Sequence, residues 1–155
     1  MKRRRVVQLD DEAGYRRILS CTTMPGAAQL LEPVREYLSE PRCAVLSTLG
    51  LDGAPRQVVV HYRLEPGHLM VNGRSDRRWA ENLRRDPRVS VVVHDADDPL
   101  HWVGLRGAAE LVADDSSAVD DAVALARRYG EDPTPYESQS RVSFRIVPER
   151  VFEYR

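Results

Sequence analysis

The spacing of apolar residues changes near residue 43. Upstream, Leu30, Leu31, Val34, Tyr37 and Leu38 recur at helical intervals and Pro41 closes the run, so the first 40 residues read as helical, with a further short helix over 10–20. Downstream the period becomes that of strands. Residues 44–49 form the first, Gly50-Leu51-Asp52-Gly53 turns the chain, and the next strand places Val58, Val60, Tyr62 and Leu64 on one face against Gln57, Val59, His61 and Arg63 on the other. Glu65-Pro66-Gly67 leads into His68-Leu69-Met70-Val71 as a second hairpin. After a charged helix, residues 89–94 read as a mostly apolar strand buried on both faces.

A loop over 95–99 precedes a long strand over 100–112, with Val103, Leu105, Ala109 and Leu111 on one face and Trp102, Gly104 and Arg106 on the other. Gly107 marks a bulge or a close backbone approach. Residues 114–117 supply N-cap candidates for a helix carrying Val119, Ala122, Val123 and Ala126 and ended by Gly130. Val142, Phe144 and Ile146 alternate in a final strand, which resumes after Pro148 with Val151, Phe152 and Tyr154. About six strands in hairpin succession predict a mainly β, α+β fold, an antiparallel barrel with short capping helices rather than a doubly wound parallel sheet. The expected division is a helical segment over 1–40 packing on a barrel domain over 41–155.

Composition narrows the function classes. At 155 residues the chain is one domain in size, and its formal net charge of −1 argues against a general nucleic-acid or membrane binder. Lys2 is the sole lysine against 22 arginines, a usage that reflects GC-rich coding more than a choice of guanidinium at each position. Cys21 and Cys43 lack metal-ligand spacing and demand no disulfide. The N-terminus carries Lys2-Arg3-Arg4-Arg5 without the apolar core of a signal peptide, and no apolar run reaches the ~18 residues of a membrane span, so the expected location is the cytoplasm.

The strongest chemical signal lies in residues 71–89, Val-Asn-Gly-Arg-Ser-Asp-Arg-Arg-Trp-Ala-Glu-Asn-Leu-Arg-Arg-Asp-Pro-Arg-Val, where a strand end runs into a helix start crowded with arginines. Free N–H groups and the positive end of the macrodipole favour an anion there. Ser75 is the expected N-cap, Asp76 lies in the first turn, and Arg74, Arg77 and Arg78 surround that end with groups shaped for phosphate oxygens. The competing reading is a solvated, highly charged helix face.

Other constellations are missing: Gly-x-Gly-x-x-Gly, Gly-Lys-Ser/Thr, His-Glu-x-x-His and Gly-x-Ser-x-Gly do not occur. His61, His68, His94 and His101 include no pair with helical metal-ligand spacing, Asp95, Asp97 and Asp98 do not form a calcium loop, and Ser47 and Thr48 have no evident base. An anion site without an obvious catalytic residue points to chemistry carried by a bound cofactor.

The order of motifs resembles the pyridoxamine-phosphate-oxidase-like split-barrel superfamily over roughly residues 40–155. The resemblance rests on the strand ending Ser47-Thr48, the turn Leu51-Asp52-Gly53-Ala54-Pro55, the strand Arg56-Gln57-Val58-Val59-Val60-His61, the helix 77–89, and Asp98-Pro99 followed by a strand through Arg106-Gly107. The run Asn82-Leu83-Arg84-Arg85-Asp86-Pro87-Arg88-Val89 is similar to the branch of reductases that use the deazaflavin coenzyme F-420. The resemblance implies a homodimer of six-stranded split barrels with two cofactor sites across the interface. A flavin or deazaflavin ring would lie along Gln57, Val58, Val59 and Val60. Arg56, His61, Arg74, Ser75, Arg77 and Arg78 would hold the phosphate end, Asn72 would also contact the cofactor, and Trp102, with Arg106, would come from the partner. Trp79 stands where family members usually carry a phosphate-binding lysine. Its indole offers one N–H and no charge, and with Ala80 and Leu83 it forms an apolar stripe suited to a core.

The function so implied is an F-420-dependent oxidoreductase that passes a hydride to a small electron-poor acceptor, with any proton coming from His61, Tyr62 or solvent. Arg84, Arg85 and Arg88 would widen the basic groove for the carboxylates of the F-420 tail. The alternatives are an FMN-dependent oxidase or reductase on the same fold, and a non-catalytic flavin- or haem-binding protein.

Overall fold

The computed structural model describes residues 8–10, 16–18 and 30–154. Its centre is a seven-stranded antiparallel sheet in the order β4-β3-β7-β8-β9-β6-β5, formed by β3 (Ala44–Leu49), β4 (Pro55–Val60), β5 (Tyr62–Glu65), β6 (His68–Arg74), β7 (Arg88–His94), β8 (Trp102–Ala113) and β9 (Arg141–Tyr154). Helix α1 (Glu32–Ser39) contributes Val34, Tyr37 and Leu38 to the same core as the strands, and Tyr37 Oη donates to the His101 carbonyl at 2.9 Å. Helix α2 (Arg78–Arg85) links β6 to β7, and α3 (Ser116–Arg128) links β8 to β9. Asp115 caps α3 through an Oδ1 that accepts from Ser117 N–H, and Gly130 follows the helix at φ 71°, both as the sequence predicts.

The two outer strands of the sheet are consecutive in the chain. A single residue, His61, separates β4 from β5, so the sheet curls until its edges meet there, although no ladder joins β4 to β5. This corrects the expected count of six: the one strand predicted through Leu64 is two, each pairing at an opposite end of the sheet. The predicted alternation nevertheless survives the break, because Val60 and Tyr62 both face the core.

Two further expectations change. Residues 16–18 are not helical: β2 (Arg16–Ile18) pairs antiparallel with β1 (Gln8–Asp10). Gly14 between them disfavours a helix by about 1 kcal/mol relative to alanine. The remainder of the expected helical stretch before residue 30 lies outside the described residues, as does Cys21. Strand β7 is not buried on both faces; Val89, Val91 and Val93 point inward while Val92 is 39% exposed.

Gly107 behaves as read from the sequence. The β8–β9 register steps from Arg106↔Arg150 to Gly107↔Pro148, and a Cβ on Gly107 would stand 2.0 Å from the Val147 carbonyl oxygen. The bulge also accommodates Pro148, which has no N–H for a ladder, and lets β9 run unbroken from Arg141 to Tyr154.

Candidate functional site

Strand β4 pairs only with β3, so its other edge presents backbone N–H and C=O groups that no ladder uses. Two cavities open along it and meet at Val58, Arg77 and Trp79. The smaller, about 460 Å³, continues past Val59, Val60 and His61 to Asn72, Glu131, Tyr136 and Arg141. The larger, about 920 Å³, runs past Arg56 and Gln57 to Leu51, Arg78, Glu81 and Arg85.

The structure thus brings nine predicted residues to the cavity walls: Arg56, Gln57, Val58, Val59, Val60, His61, Asn72, Arg77 and Arg78. Arg74, Ser75 and Trp102 are not among the lining residues of either cavity. Arg74 forms a bidentate pair with Asp76 at 3.1 and 2.6 Å. Ser75 is not the cap of α2; that position is Arg77, without a side-chain cap bond. Pairing wins over capping here, because the β6–β9 ladder ends at Arg74↔Arg141 and Ser75 continues it, its N–H donating to the Ser140 carbonyl at 3.0 Å and its Oγ lying 2.7 Å from Ser140 Oγ. Trp102 stacks on Tyr154 and covers Gly104.

Accounting for the arginines separates structural charge from available charge. Arg56 pairs with Asp52 at 3.3 Å, Arg84 donates to the Ser75 carbonyl, and Arg85 donates to the Leu49 carbonyl and Asn82. Arg88 clasps Asp86 and, chiefly through that hydrogen bond, pushes its carboxyl down to about 2; Arg88 is not among the lining residues of either cavity. Arg77, Arg78 and Arg141 line the cavities without a carboxylate partner among the described residues. That is the arrangement that accepts an anion.

Arg141 was not singled out by the sequence. Its Nε donates to Asn72 Oδ1 at 2.9 Å, its Nη1 to Gln139 Oε1 at 2.7 Å, and its guanidinium lies 5.0 Å from the centre of the Tyr136 ring. Burial above all, and then the charges of Arg74 and Arg77, push its pKa below the usual guanidinium range, against an opposing effect of Tyr136. Asn72 is correspondingly committed, since its Nδ2 donates to the Ala118 carbonyl and Ser143 Oγ. Glu131 and Tyr136 were missed as well; Tyr136 Oη donates to Glu131 Oε2 at 2.6 Å, which raises the phenol. The available signal was an aromatic residue in the short loop after Gly130, followed by an arginine at a strand start.

His61 stacks on Tyr129, with ring centres 3.8 Å apart and planes 5° from parallel, and its Nε2 lies 3.7 Å from Glu131 Oε1. Tyr62, the other proton donor considered, is fully buried. Its Oη donates to the Glu40 carbonyl, and burial pushes its phenol up, which removes it from the site's chemistry. Trp79 is 8% exposed and packs against Phe144 at 6.0 Å; a Cβ on Gly73 would come within 2.3 Å of its Cζ2. The indole therefore plugs the end of the core between the cavities, as its place in an apolar stripe predicts. Among the described residues no cluster of His, Cys, Asp and Glu could hold a metal, and no helix is long and apolar enough to cross a membrane.

A curled antiparallel sheet with a ligand-accessible edge strand and an arginine-flanked helix start defines a class, and the sequence places the chain in it. Residues 30–155 match the pyridoxamine 5'-phosphate oxidase family, and the chain belongs to that family. It is 28% identical over 127 residues to an F420H(2)-dependent biliverdin reductase of Mycobacterium tuberculosis, covering 79% of this chain and 87% of the relative. Among solved structures, an F420 reductase superposes with a TM-score of 0.68 at 24% identity, covering 79% of this chain and 98% of the other. A conserved hypothetical protein of Mycobacterium tuberculosis does so with a TM-score of 0.68 at 26% identity, covering 86% and 89%.

Proposed function

We propose that this protein is an F-420-dependent oxidoreductase acting on a small electron-poor organic acceptor. The observation that carries the reading is the pair of joined cavities along the free edge of β4, flanked by Arg77 and Arg78 without carboxylate partners. Similarity to an F420H(2)-dependent reductase supports the choice of cofactor. When bound, the reduced deazaflavin supplies a hydride.

The chain's own contribution is placement and charge. The backbone of Gln57 to Val60 offers donors and acceptors to the polar edge of a tricyclic ring, and Val58 and Trp79 offer apolar walls. Arg77 and Arg78 neutralise the phosphate, which makes up for the absence of a lysine at position 79. Arg56, Gln57 and Arg85 line the larger cavity, where the anionic tail extends. His61 Nε2 is placed to hold the proton that complements a hydride, with Glu131 beside it.

A second copy of this chain belongs to the reading. Register aligns Val59, Val45, Val92 and Gly104 across one face of the sheet, and Val59 and Val92 are 65% and 39% exposed there. Trp102, which covers Gly104, stands at the end of that apolar row. A partner packed on this face brings its own Trp102 toward the cofactor groove.

Isotope transfer tests the chemistry. Coenzyme F-420 reduced so that both hydrogens on its hydride-carrying carbon are deuterium is expected to give an acceptor product bearing one deuterium, because a carbon-bound hydride does not exchange with water. A product without the label contradicts direct transfer from the deazaflavin and fits a flavin, whose nitrogen-bound hydrogen exchanges.

A further inference from the structure

The smaller cavity contains positive charge that the cofactor reading does not use. Arg141 is held in place by neutral partners, Asn72 Oδ1 on Nε and Gln139 Oε1 on Nη1, and its Nη2 has no hydrogen-bond partner among the described residues. Arg77 reaches the same cavity from α2. The one carboxylate in the lining, Glu131, already accepts from Tyr136 Oη and lies beside His61. One end of the cavity is therefore cationic and the other carries the Glu131–His61 pair, with the Tyr136 ring between them.

We propose that this cavity is an anion subsite, in which a carboxylate or phosphate on the acceptor engages the free Nη2 of Arg141 and so directs the remainder of the molecule toward His61. The aromatic rings of Tyr136 and His61 and the apolar side chains of Ala122 and Leu125 in the lining select a planar, ring-bearing organic anion. Its volume of about 460 Å³ accommodates such a molecule. Fixing Arg141 through two neutral acceptors lowers the entropy lost when it binds, and its partial burial and the nearby Arg74 and Arg77 charges make an incoming anion more favourable. Naming the ligand as the acceptor rests on the proposed function; the existence of the anion subsite does not.

Trp79 lines the cavity and reports its occupancy, so the test uses Trp102→Phe, which leaves Trp79 as the only tryptophan, and F-420 binding itself is judged on the parent chain, which keeps Trp102 at the groove. Titration with benzoate and, separately, with inorganic phosphate is followed by Trp79 fluorescence, without and then with saturating F-420. Saturable benzoate binding is expected, weakened at least about tenfold by Arg141→Gln and partly retained by Arg141→Lys, as loss of a charge-assisted hydrogen bond requires. Thermal melting of each variant separates lost binding from lost folding. Should Arg141→Gln misfold, Gln139→Ala, which removes the acceptor that fixes Arg141 Nη1, is expected to weaken benzoate binding about threefold, and Tyr136→Phe, which keeps the ring and removes only the bond to Glu131, to change it less. Benzoate binding that ignores Arg141 overturns the proposal. Competition between benzoate and F-420 also overturns it, by giving this anion site to the cofactor's phosphate. Failure of F-420 to bind, with arginine-dependent benzoate binding intact, overturns the proposed function and leaves the subsite standing.

Discussion

Alanine at both Arg77 and Arg78 is expected to weaken F-420 binding about 100-fold or more, while the melting temperature stays within a few degrees of the parent. Each charge-assisted hydrogen bond to a phosphate contributes about 1.5–3 kcal/mol, and two such losses multiply in the binding constant. Folding should scarcely register the change. Both side chains are exposed and neither forms an ion pair among the described residues, so their removal strands no buried partner. The comparison is Arg84→Ala with Arg88→Ala, whose parent side chains are engaged by the Ser75 carbonyl and by Asp86. That pair is expected to change affinity less than about threefold, because neither guanidinium lines the groove. Equal losses from the two double variants would assign the phosphate to the wrong face of α2. Isothermal titration of each variant with F-420 reads both results.

Phe144→Ala is expected to destabilise the fold by about 3–5 kcal/mol, read as a shift of the urea midpoint at unchanged slope. Phe144 is 1% exposed near the start of β9, paired with Val71 on one side and Leu111 on the other. Removal of its ring opens a void that the surrounding strands cannot collapse into without breaking two ladders. The effect reaches the site, because Trp79 leans on this ring at 6.0 Å and forms the wall shared by both cavities. F-420 affinity should therefore fall with stability in Phe144→Ala, whereas Arg77 and Arg78 separate the two. A loss below about 1 kcal/mol would show that this end of the sheet is packed more loosely than the structure has it.

Much of this architecture is local, and local features are legible in sequence. Period-2 alternation gives the strands, Asp115 and Gly130 bound α3, and Gly107 announces its bulge because only glycine tolerates a carbonyl at that distance. The break at His61 left no trace, since neither glycine nor proline marks it and the alternation continues through it. Ser75 illustrates a conflict between levels: its side chain suits an N-cap, but a ladder to Ser140 formed by distant pairing takes it instead. Arg141 was hidden for a related reason. Its role depends on meeting Asn72 across the β6–β9 pairing, and nothing within its own neighbourhood in the chain reveals that meeting. The candidate site was thus half legible: the β4 edge and the arginines at the start of α2 could be read, whereas the loop and strand completing the smaller cavity could not.

Coenzyme F-420 and FMN share a tricyclic ring and a phosphate, so on the proposed reading β4 and α2 alone would suit either one. They differ in the carboxylate-bearing tail, which the larger cavity with Arg56 and Arg85 is expected to favour. Parallel fluorescence titrations of the full chain with F-420 and with FMN test that claim most directly. The account predicts saturable F-420 binding at one molecule per chain, at least about tenfold tighter than FMN, as one further charge-assisted contact requires. FMN binding as tight as F-420, or no binding of either, would contradict it.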